Sequence, residues 1–473
     1  METSFLKLIE YSIKEHWHLP SLTDYAGAEH NYKDVARWIE KLHILFEEGG
    51  IRPGDKVALC SRNTSNWGIA FFATLTYGAV AVPILNEFKP DTIHHIINHS
   101  GARVLFVGKS VWDNIDHESM PTLDGIIAMA DYSVISSRNT VLAEIAPQLE
   151  TLFKAKYPEE LRNKDIHYRT EQPEELAMIN YTSGTTSSPK GVMLPYRSMW
   201  SNLRYALDQM GYAPGEKLVS ILTMAHMYGL AFEFIYPFAS GIHIYFLQKM
   251  PSPKILGEVF ADIRPHLIVA VPLIIEKIYR HQVLAKFNSN SFWRTLYRIG
   301  FMRRYLHRVA GGKLMKLFGG RLRFLGIGGA KLDGGAEKFL LEARVPYAIG
   351  YGLTETAPLL AGAAPSMVRL GSTGPQAPGV ELRLENVNPE TRQGEIVART
   401  PSAMVGYFKN PEATKEVFTA DGWFRTGDLG ELDKDGWLYI KGRLKNMIVG
   451  PGGENIYPED IETVLNSHVC IAD

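Results

Sequence analysis

Cysteine is nearly absent. Cys60 and Cys470 are the 2 cysteines in 473 residues, and they form no C-x-x-C pair. A disulfide framework and a cysteine metal site are thereby excluded, which fits a reducing compartment. Net charge is −1, so no global attraction to nucleic acid is available. The start, Met1-Glu-Thr-Ser-Phe-Leu-Lys7, lacks the basic-then-apolar order of a secretory signal. The most apolar stretch, 67–85, is interrupted by Gly78 and Pro83. It reads as a buried helix followed by a strand, not a membrane span. These absences together predict a cytoplasmic protein, and the sequence shows no internal repeat and no low-complexity tract.

Acidic residues are missing over one long stretch, between Glu276 and Asp333. The same stretch carries Arg294, Arg298, Arg303, Arg304, Arg308, Lys313 and Lys316, with Trp293, Tyr297, Phe301 and Tyr305 at helical spacing. A surface meeting anionic lipid heads or a CoA nucleotide is one reading, with segment 293–323 touching the inner membrane surface peripherally. An ordinary solvated helix over a core is the other, because Arg304 falls inside the aromatic stripe.

What is present is a βα rhythm. Hydrophobic residues make up 45 %, enough for large buried cores, and the length suits roughly three domain-sized units. Val35, Trp38, Ile39, Leu42, Leu45 and Phe46 follow helical spacing up to a stop at Gly49-Gly50. Short apolar runs at 57–60, 81–85, 104–107, 218–222, 243–247 and 267–271 alternate with helix-like segments. The expectation is an α/β fold with parallel sheets covered by helices on both faces. From about Gly371 the texture changes to strand alternation, as in Val380, Leu382 and Leu384, and Asp433-Lys-Asp-Gly436 reads as a hairpin turn. A β-rich subdomain is expected at about 371–440.

One segment is richest in chemistry: Tyr181-Thr-Ser-Gly-Thr-Thr-Ser-Ser-Pro-Lys-Gly-Val-Met-Leu194. A strand at 176–180 should run into it and a helix should begin near Pro195. Glycine lets backbone N–H groups turn toward an anion, hydroxyls add donors, and Lys190 supplies a point charge. That combination holds a polyphosphate. It is not a Walker loop, since the Gly184-to-Lys190 spacing is wrong and Pro189 and Gly191 flank the lysine.

Further motifs follow in order. His226 lies in Leu222-Thr-Met-Ala-His-Met-Tyr-Gly229, with Met227, Tyr228 and Phe232 either bordering a pocket or packing in the core. Leu325-Gly-Ile-Gly-Gly-Ala-Lys331 is a strand entering a glycine turn, where Gly328 and Gly329 would let a flat ring approach the backbone. In Gly350-Tyr-Gly-Leu-Thr-Glu-Thr356, Tyr351 can stack on a purine, Thr354 can donate to a phosphate, and Glu355 is a hard oxygen ligand suited to Mg²⁺. Asp428 in Trp423-Phe-Arg-Thr-Gly-Asp-Leu429 can accept from two ribose hydroxyls. Lys441-Gly-Arg-Leu-Lys-Asn446 supplies Arg443 and Lys445, followed by the glycine-rich Gly450-Pro-Gly-Gly-Glu-Asn-Ile-Tyr-Pro458.

This ordered set resembles the adenylate-forming (AMP-binding) enzymes, the superfamily of acyl-CoA synthetases, luciferases and peptide-synthetase adenylation domains. It is most similar to bacterial-type long-chain fatty acyl-CoA synthetases. The resemblance implies a large N-terminal lobe, residues 1–444, with a hinge at Lys445 and only the start of a small α+β C-terminal lobe in 445–473, a shortened and impaired version of the family's usual end. It implies ATP, Mg²⁺ and CoA as cofactors and a fatty acid as substrate. Thr182, Ser183, Gly184, Thr185, Thr186, Ser187 and Lys190 would bind the phosphates, with Ser187 where the family usually has glycine. Gly328, Gly329, Ala330, Gly350, Tyr351 and Gly352 would hold the adenine, Asp428 the ribose, and Arg443 the ribose or a phosphate. Thr185 and Glu355 would face the metal, His226 the substrate carboxylate, and Lys190, Thr354 and Glu355 the reacting phosphate. A fatty acyl-AMP ligase serving a carrier protein and a non-catalytic nucleotide- or acyl-binding remnant are the rival readings.

Overall fold

The apolar runs become strands because they are rich in β-branched residues and bounded by turns, and amphipathic helices such as Tyr32–Glu48 pack one apolar face against them. In the computed structural model, which describes residues 4–182, 189–249 and 252–446 and the backbone of 448–449 and 455–456, these elements form two units. Unit 1 is Met1–Val269 with Thr354–Pro358 and Ser402–Pro411; unit 2 is Ala270–Leu353, Leu359–Pro401 and Glu412–Asp473.

Unit 1 holds an eight-stranded sheet. In spatial order its strands are Gly406–Tyr407, Lys190–Pro195, Leu176–Thr182, Val80–Pro83, Lys56–Cys60, Ala102–Val107, Gly125–Ala128 and Val134–Ser137. The central pairs are parallel and both edges are antiparallel. The buried runs Lys56–Cys60 and Val80–Pro83 suit a central position, covered on both faces. The apolar stretch at 67–85 is helix Ser65–Tyr77 followed by strand Val80–Pro83, as the interruptions suggested. No helix among the described residues is long and apolar enough to cross a membrane. A second set of strands in unit 1 runs Leu267–Ala270, Lys217–Ser220, His243–Phe246, Pro20–Asp24 and Glu29–Asn31.

Aromatic side chains hold the helices of unit 1 together. Phe72 packs against Phe234 and Phe238 with ring centroids 4.6 and 4.5 Å apart, and Trp67 stacks on Phe71 at 5.4 Å. Such pairs contribute about 0.5–1.5 kcal/mol each beyond burial. Helix Tyr32–Glu48 starts with a capping box between Asn31 and Asp34 and stops at Gly49.

In unit 2 the strand Phe324–Ile327 runs parallel to Tyr347–Gly352, which pairs antiparallel with Leu359–Gly362. The β-rich part is a five-stranded antiparallel sheet ordered Gly374–Pro375, Trp437–Arg443, Phe424–Leu432, Gly394–Arg399, Glu381–Glu385. The turn at 433–436 joins two of these strands, as its residues suggested. The aromatic stripe of 293–305 behaves differently from a single helical wheel. It falls on two helices, Ser291–Arg298 and Gly300–Leu317. Trp293 and Tyr297 turn partly inward, while Phe301 and Tyr305 are exposed.

A buried and a half-buried histidine in unit 1 tie stability to pH. His243 bonds Thr23 Oγ1 at 2.7 Å, and burial pushes its imidazole down to about 4. His43 lies 2.9 Å from Thr76 Oγ1, and burial pushes it to about 4 against a weaker opposing pull from Glu40. In the unfolded chain both would take up a proton near 6.5. The unfolded state therefore binds more protons between about pH 6.5 and 4, and stability falls as pH drops through that window. Each should contribute on the order of 1–3 kcal/mol to the fall. Urea midpoints measured from pH 7 to pH 4 should drop steeply in the wild type and less steeply in His43→Gln and His243→Gln. Parallel slopes in all three would refute the assignment.

Candidate active site

In unit 1 the strand Leu176–Thr182 leads to the hydroxyl-rich segment, and a helix starts at Tyr196, beside Pro195 as expected; what the sequence did not announce is a strand between them. The chain returns as a second strand, Lys190–Pro195, antiparallel to the first with Thr182 opposite Lys190, and the helix Tyr196–Met210 follows. Gly191 serves this return. A Cβ there would lie 2.9 Å from Ile179 Cγ2 and 3.0 Å from Tyr181 Cζ, so glycine is needed for close strand packing. Ser183, Gly184, Thr185, Thr186 and Ser187 lie outside the described residues; Thr182 and Lys190 bracket them.

Lys190 is half-buried, and its Nζ sits 4.9 Å from the centroid of the Tyr407 ring, within cation–π range. The Tyr407 hydroxyl donates to Glu355 Oε1 at 2.8 Å. Burial and the Glu355 carboxylate both push the Tyr407 phenol well above its ordinary value, so it stays a donor. Tyr407 reaches this position because Gly406–Tyr407 adds to the free edge of Lys190–Pro195, with Tyr407 opposite Val192. Glu355 and Thr354 lie in the 3₁₀ turn Thr354–Thr356. That turn is held by Met404 N donating to Glu355 O at 2.8 Å and by Asn202 Nδ2 donating to Thr356 O at 3.2 Å. Tyr407 did not enter the sequence reading. Only the spacing of a Gly-Tyr pair in a turn-rich stretch marks it, and that signal is weak without the strand pairing.

His226 begins a short helix, Met227–Gly229, that leads into the π-helix Leu230–Ile235. Its imidazole is open to solvent, yet desolvation by the surrounding protein lowers its pKa, with Glu87 pulling weakly the other way. Met227 and Phe232 are buried, Tyr228 is half-buried, and the Tyr228 and Phe232 rings meet edge-on at 5.9 Å.

Unit 2 gathers the remaining residues. Strand Phe324–Ile327 enters the turn with Gly328 N donating to Ala270 O at 3.3 Å. Gly329 has φ +88 and nothing nearer to a would-be Cβ than Val271 Cγ1 at 3.8 Å, so backbone conformation and not crowding requires the glycine. Gly329 and Ala330 are exposed. Gly350, Tyr351 and Gly352 end the strand Tyr347–Gly352. The Tyr351 ring packs against Ala361, Ile396 and Leu438, and its hydroxyl donates to Asp428 Oδ2 at 2.8 Å. Burial first, then the adjacent carboxylate, pushes the Tyr351 phenol far up. Asp428 is buried, and its Oδ1 lies 3.2 Å from Nε of the exposed Arg443, its cross-strand partner. Lys445 is exposed in the turn Leu444–Asn446.

Among the described residues no cluster of three or more His, Cys, Asp or Glu could hold a metal by itself. Mg²⁺ does not demand one, since it is commonly held by one or two carboxylates together with substrate phosphates and water. Glu355 fits that limited role: Tyr407 engages its Oε1, and Oε2 accepts from no described residue.

The AMP-binding enzyme family model matches residues 10–408. The long-chain-fatty-acid–CoA ligase FadD15 of Mycobacterium bovis is 30 % identical over 452 residues, covering 89 % of this chain and 71 % of its own length. Long-chain-fatty-acid–CoA ligase 1 of Schizosaccharomyces pombe is 28 % identical, covering 97 % of this chain and 72 % of its own. Among solved structures, a Mycobacterium tuberculosis fatty acyl CoA synthetase superposes with a TM-score of 0.73 at 22 % identity, over 98 % of this chain and 83 % of that one. An ATP-bound RpMatB-BxBclM chimera gives 0.78 at 22 % identity, over 99 % and 83 %. The α/β architecture, the ordered motifs and the span of the family match lead to one assignment: the chain belongs to the AMP-binding enzyme family.

Proposed function

We propose that this chain activates a carboxylic acid, a long-chain fatty acid, with ATP and passes the acyl group to the thiol of CoA. The observation that carries the reading is the Lys190–Tyr407–Glu355 cluster, which brings a cation and a carboxylate from distant motifs beside the ends of the phosphate-loop strands. The relatives' names supply the acid class and the acceptor.

In the first step a carboxylate oxygen bonds to the α-phosphorus, and the bond from that phosphorus to the bridging oxygen of pyrophosphate breaks. Acid and nucleotide are both anionic, so the residues must supply positive charge and alignment. Lys190 neutralises phosphate charge, Thr354 donates to the α-phosphate, and His226 meets the acid's carboxylate. Tyr351 and the Gly328–Gly329–Ala330 and Gly350–Gly352 backbones take the adenine, while Asp428 and Arg443 take the ribose. Mg²⁺, when bound, would draw charge from the phosphates, with Glu355 and Thr185 as its protein ligands. In the second step the thiol sulfur attacks the acyl carbonyl carbon and AMP leaves. Met227, Tyr228 and Phe232 would border the acyl chain. No covalent enzyme intermediate is required. The small-lobe boundary at Lys445 belongs to this same reading, with residues 1–444 as the large lobe.

A second reading concerns where the acid is met. Phe292, Phe301 and Tyr305 are 65, 67 and 62 % exposed, beside the exposed Arg294, Arg298, Arg304 and Arg308. Aromatics over guanidinium groups, with no acidic residue from 277 to 332, suit the headgroup layer of an anionic bilayer. We infer peripheral contact there, through the hairpin of helices Ser291–Arg298 and Gly300–Leu317.

Pyrophosphate exchange over carboxylic acids of graded length should peak with long chains, and Lys190→Ala should lower it on the order of 10²–10³-fold. ATP binding that ignores the substitution would favour the non-catalytic reading, and acyl transfer to carrier pantetheine but not CoA would favour the acyl-AMP ligase. Tyr407→Phe should leave folding intact and weaken Mg·ATP binding by roughly tenfold, since it frees Glu355. Calorimetry with and without Mg²⁺ reads this, and equal losses in both conditions would refute the Glu355 role. Sedimentation with anionic vesicles should exceed that with zwitterionic ones and fall with salt, and the pair Phe301→Asp, Arg304→Glu should abolish it. Equal binding to both lipids would remove the bilayer reading.

A further inference from the structure

The backbone that carries His226 is irregular, and side chains, not a neighbouring strand, satisfy much of it. Ser220 Oγ at 3.0 Å, Ile221 N at 3.0 Å and Leu222 N at 2.9 Å all donate to Glu233 Oε2. Leu222 O accepts from Asn63 Nδ2 at 2.6 Å, and Met224 N donates to Asn63 Oδ1 at 2.9 Å. Ala225 O, one residue before His226, accepts from Asn180 Nδ2 at 2.9 Å. The three side chains come from three elements of unit 1: the loop after strand Lys56–Cys60, the strand Leu176–Thr182, and the π-helix Leu230–Ile235.

Asn180 stands out among them. It is 2 % exposed, in a strand whose neighbours Ala177, Met178, Ile179 and Tyr181 are buried hydrophobics. A buried amide costs free energy unless its hydrogen bonds are used, and an apolar residue would suit that strand better. The amide is used: it reaches from the strand that ends in Thr182 to the turn that ends in His226. Glu233 works from the far side of the same turn. It is fully buried, and burial pushes its carboxyl up to about 8 despite the three donors.

We propose that Asn180 is a positioning residue that joins the phosphate-loop strand to the acid-binding turn, setting where His226 meets the acid's carboxylate. The inference rests on the acid-activation reading above. It explains why the turn needs no strand partner: its shape is set by side chains reaching in from a loop, a strand and the π-helix. It also assigns the two ends of the reaction a shared reference, since Thr182 lies two residues from Asn180 along the strand and His226 lies one residue from Ala225. The predicted signature is selective. Loss of the amide leaves Ala225 O unpaired and the turn free to shift, while the strand itself, held by its neighbours on both sides, keeps its place.

Calorimetry on the full chain with a long-chain fatty acid and, separately, with ATP tests this in the wild type, Asn180→Ala and the volume-conserving Asn180→Leu. Acid affinity should fall roughly tenfold in both variants, with ATP affinity within about twofold of wild type and thermal midpoints little changed. Acid and ATP affinities falling together, or neither falling, would overturn the proposal. So would loss of folding in both variants, which would make Asn180 purely structural. A wild type that binds ATP but no carboxylic acid of any length would instead sink the acid-activation reading, and this inference with it.

Discussion

The antiparallel return of Lys190–Pro195 on Leu176–Thr182 is the constraint on which the rest of unit 1's chemistry depends. It requires Gly191, because the Tyr181 ring and Ile179 occupy the space of any side chain there. It sets Lys190 opposite Thr182 at the open end of the pair. It also leaves one free edge, and a free edge recruits a strand. Gly406–Tyr407 takes it, with Phe408 N donating to Gly191 O at 2.7 Å. Tyr407 then reaches Glu355, a residue separated from Lys190 by more than half the remaining chain. Tyr181, the residue under the glycine, is itself held by His99 Nδ1 at 2.8 Å, and His99 packs edge-on to Phe408 at 5.6 Å. The same few residues thus fix both the strand pair and the tyrosine that links its motifs.

Charge inside the two units follows a common rule: a carboxylate is buried only where donors meet it. Asp428 has Tyr351 and Arg443, and Glu233 has Ser220 and two backbone amides. The donors differ. Asp428 faces a guanidinium, with Arg443 Nε 3.2 Å from its Oδ1. Glu233 faces only neutral donors, which do not offset burial, and its carboxyl is pushed up to about 8. A neutral carboxyl suits the bracing role that Glu233 has in its turn.

These distinctions show what was legible in the sequence. The strand runs, the helix at 65–77, the hairpin turn at 433–436 and the order of the motifs could be read because each rests on local periodicity or turn chemistry. The antiparallel strand at Lys190–Pro195 could not, since Lys-Gly-Val-Met-Leu-Pro has no clean alternation. Tyr407, Asn180 and Glu233 were missed for a related reason. Each matters through a partner far away in the chain, and no local spacing encodes that. Gly329 and Gly191 look alike in sequence, yet one answers to φ and the other to a neighbouring ring.

The aromatic stripe of 293–305 carries the same lesson into electrostatics. A single wheel mixes Arg304 with the rings and suggests poor segregation. The break between Arg298 and Gly300 resolves the mixture into two helices with different tasks. Tyr297 turns inward to His307, at 2.8 Å from its Nε2, and His307 and Arg303 share Glu342 on the helix Gly334–Ala343. The segment has no acid of its own, so this borrowed carboxylate decides which basic groups are neutralised. Arg303 and His307 are drawn onto the fold, while Arg294, Arg298, Arg304 and Arg308 remain exposed beside Phe292, Phe301 and Tyr305. Borrowing one acid from elsewhere anchors the hairpin and leaves its outer face basic.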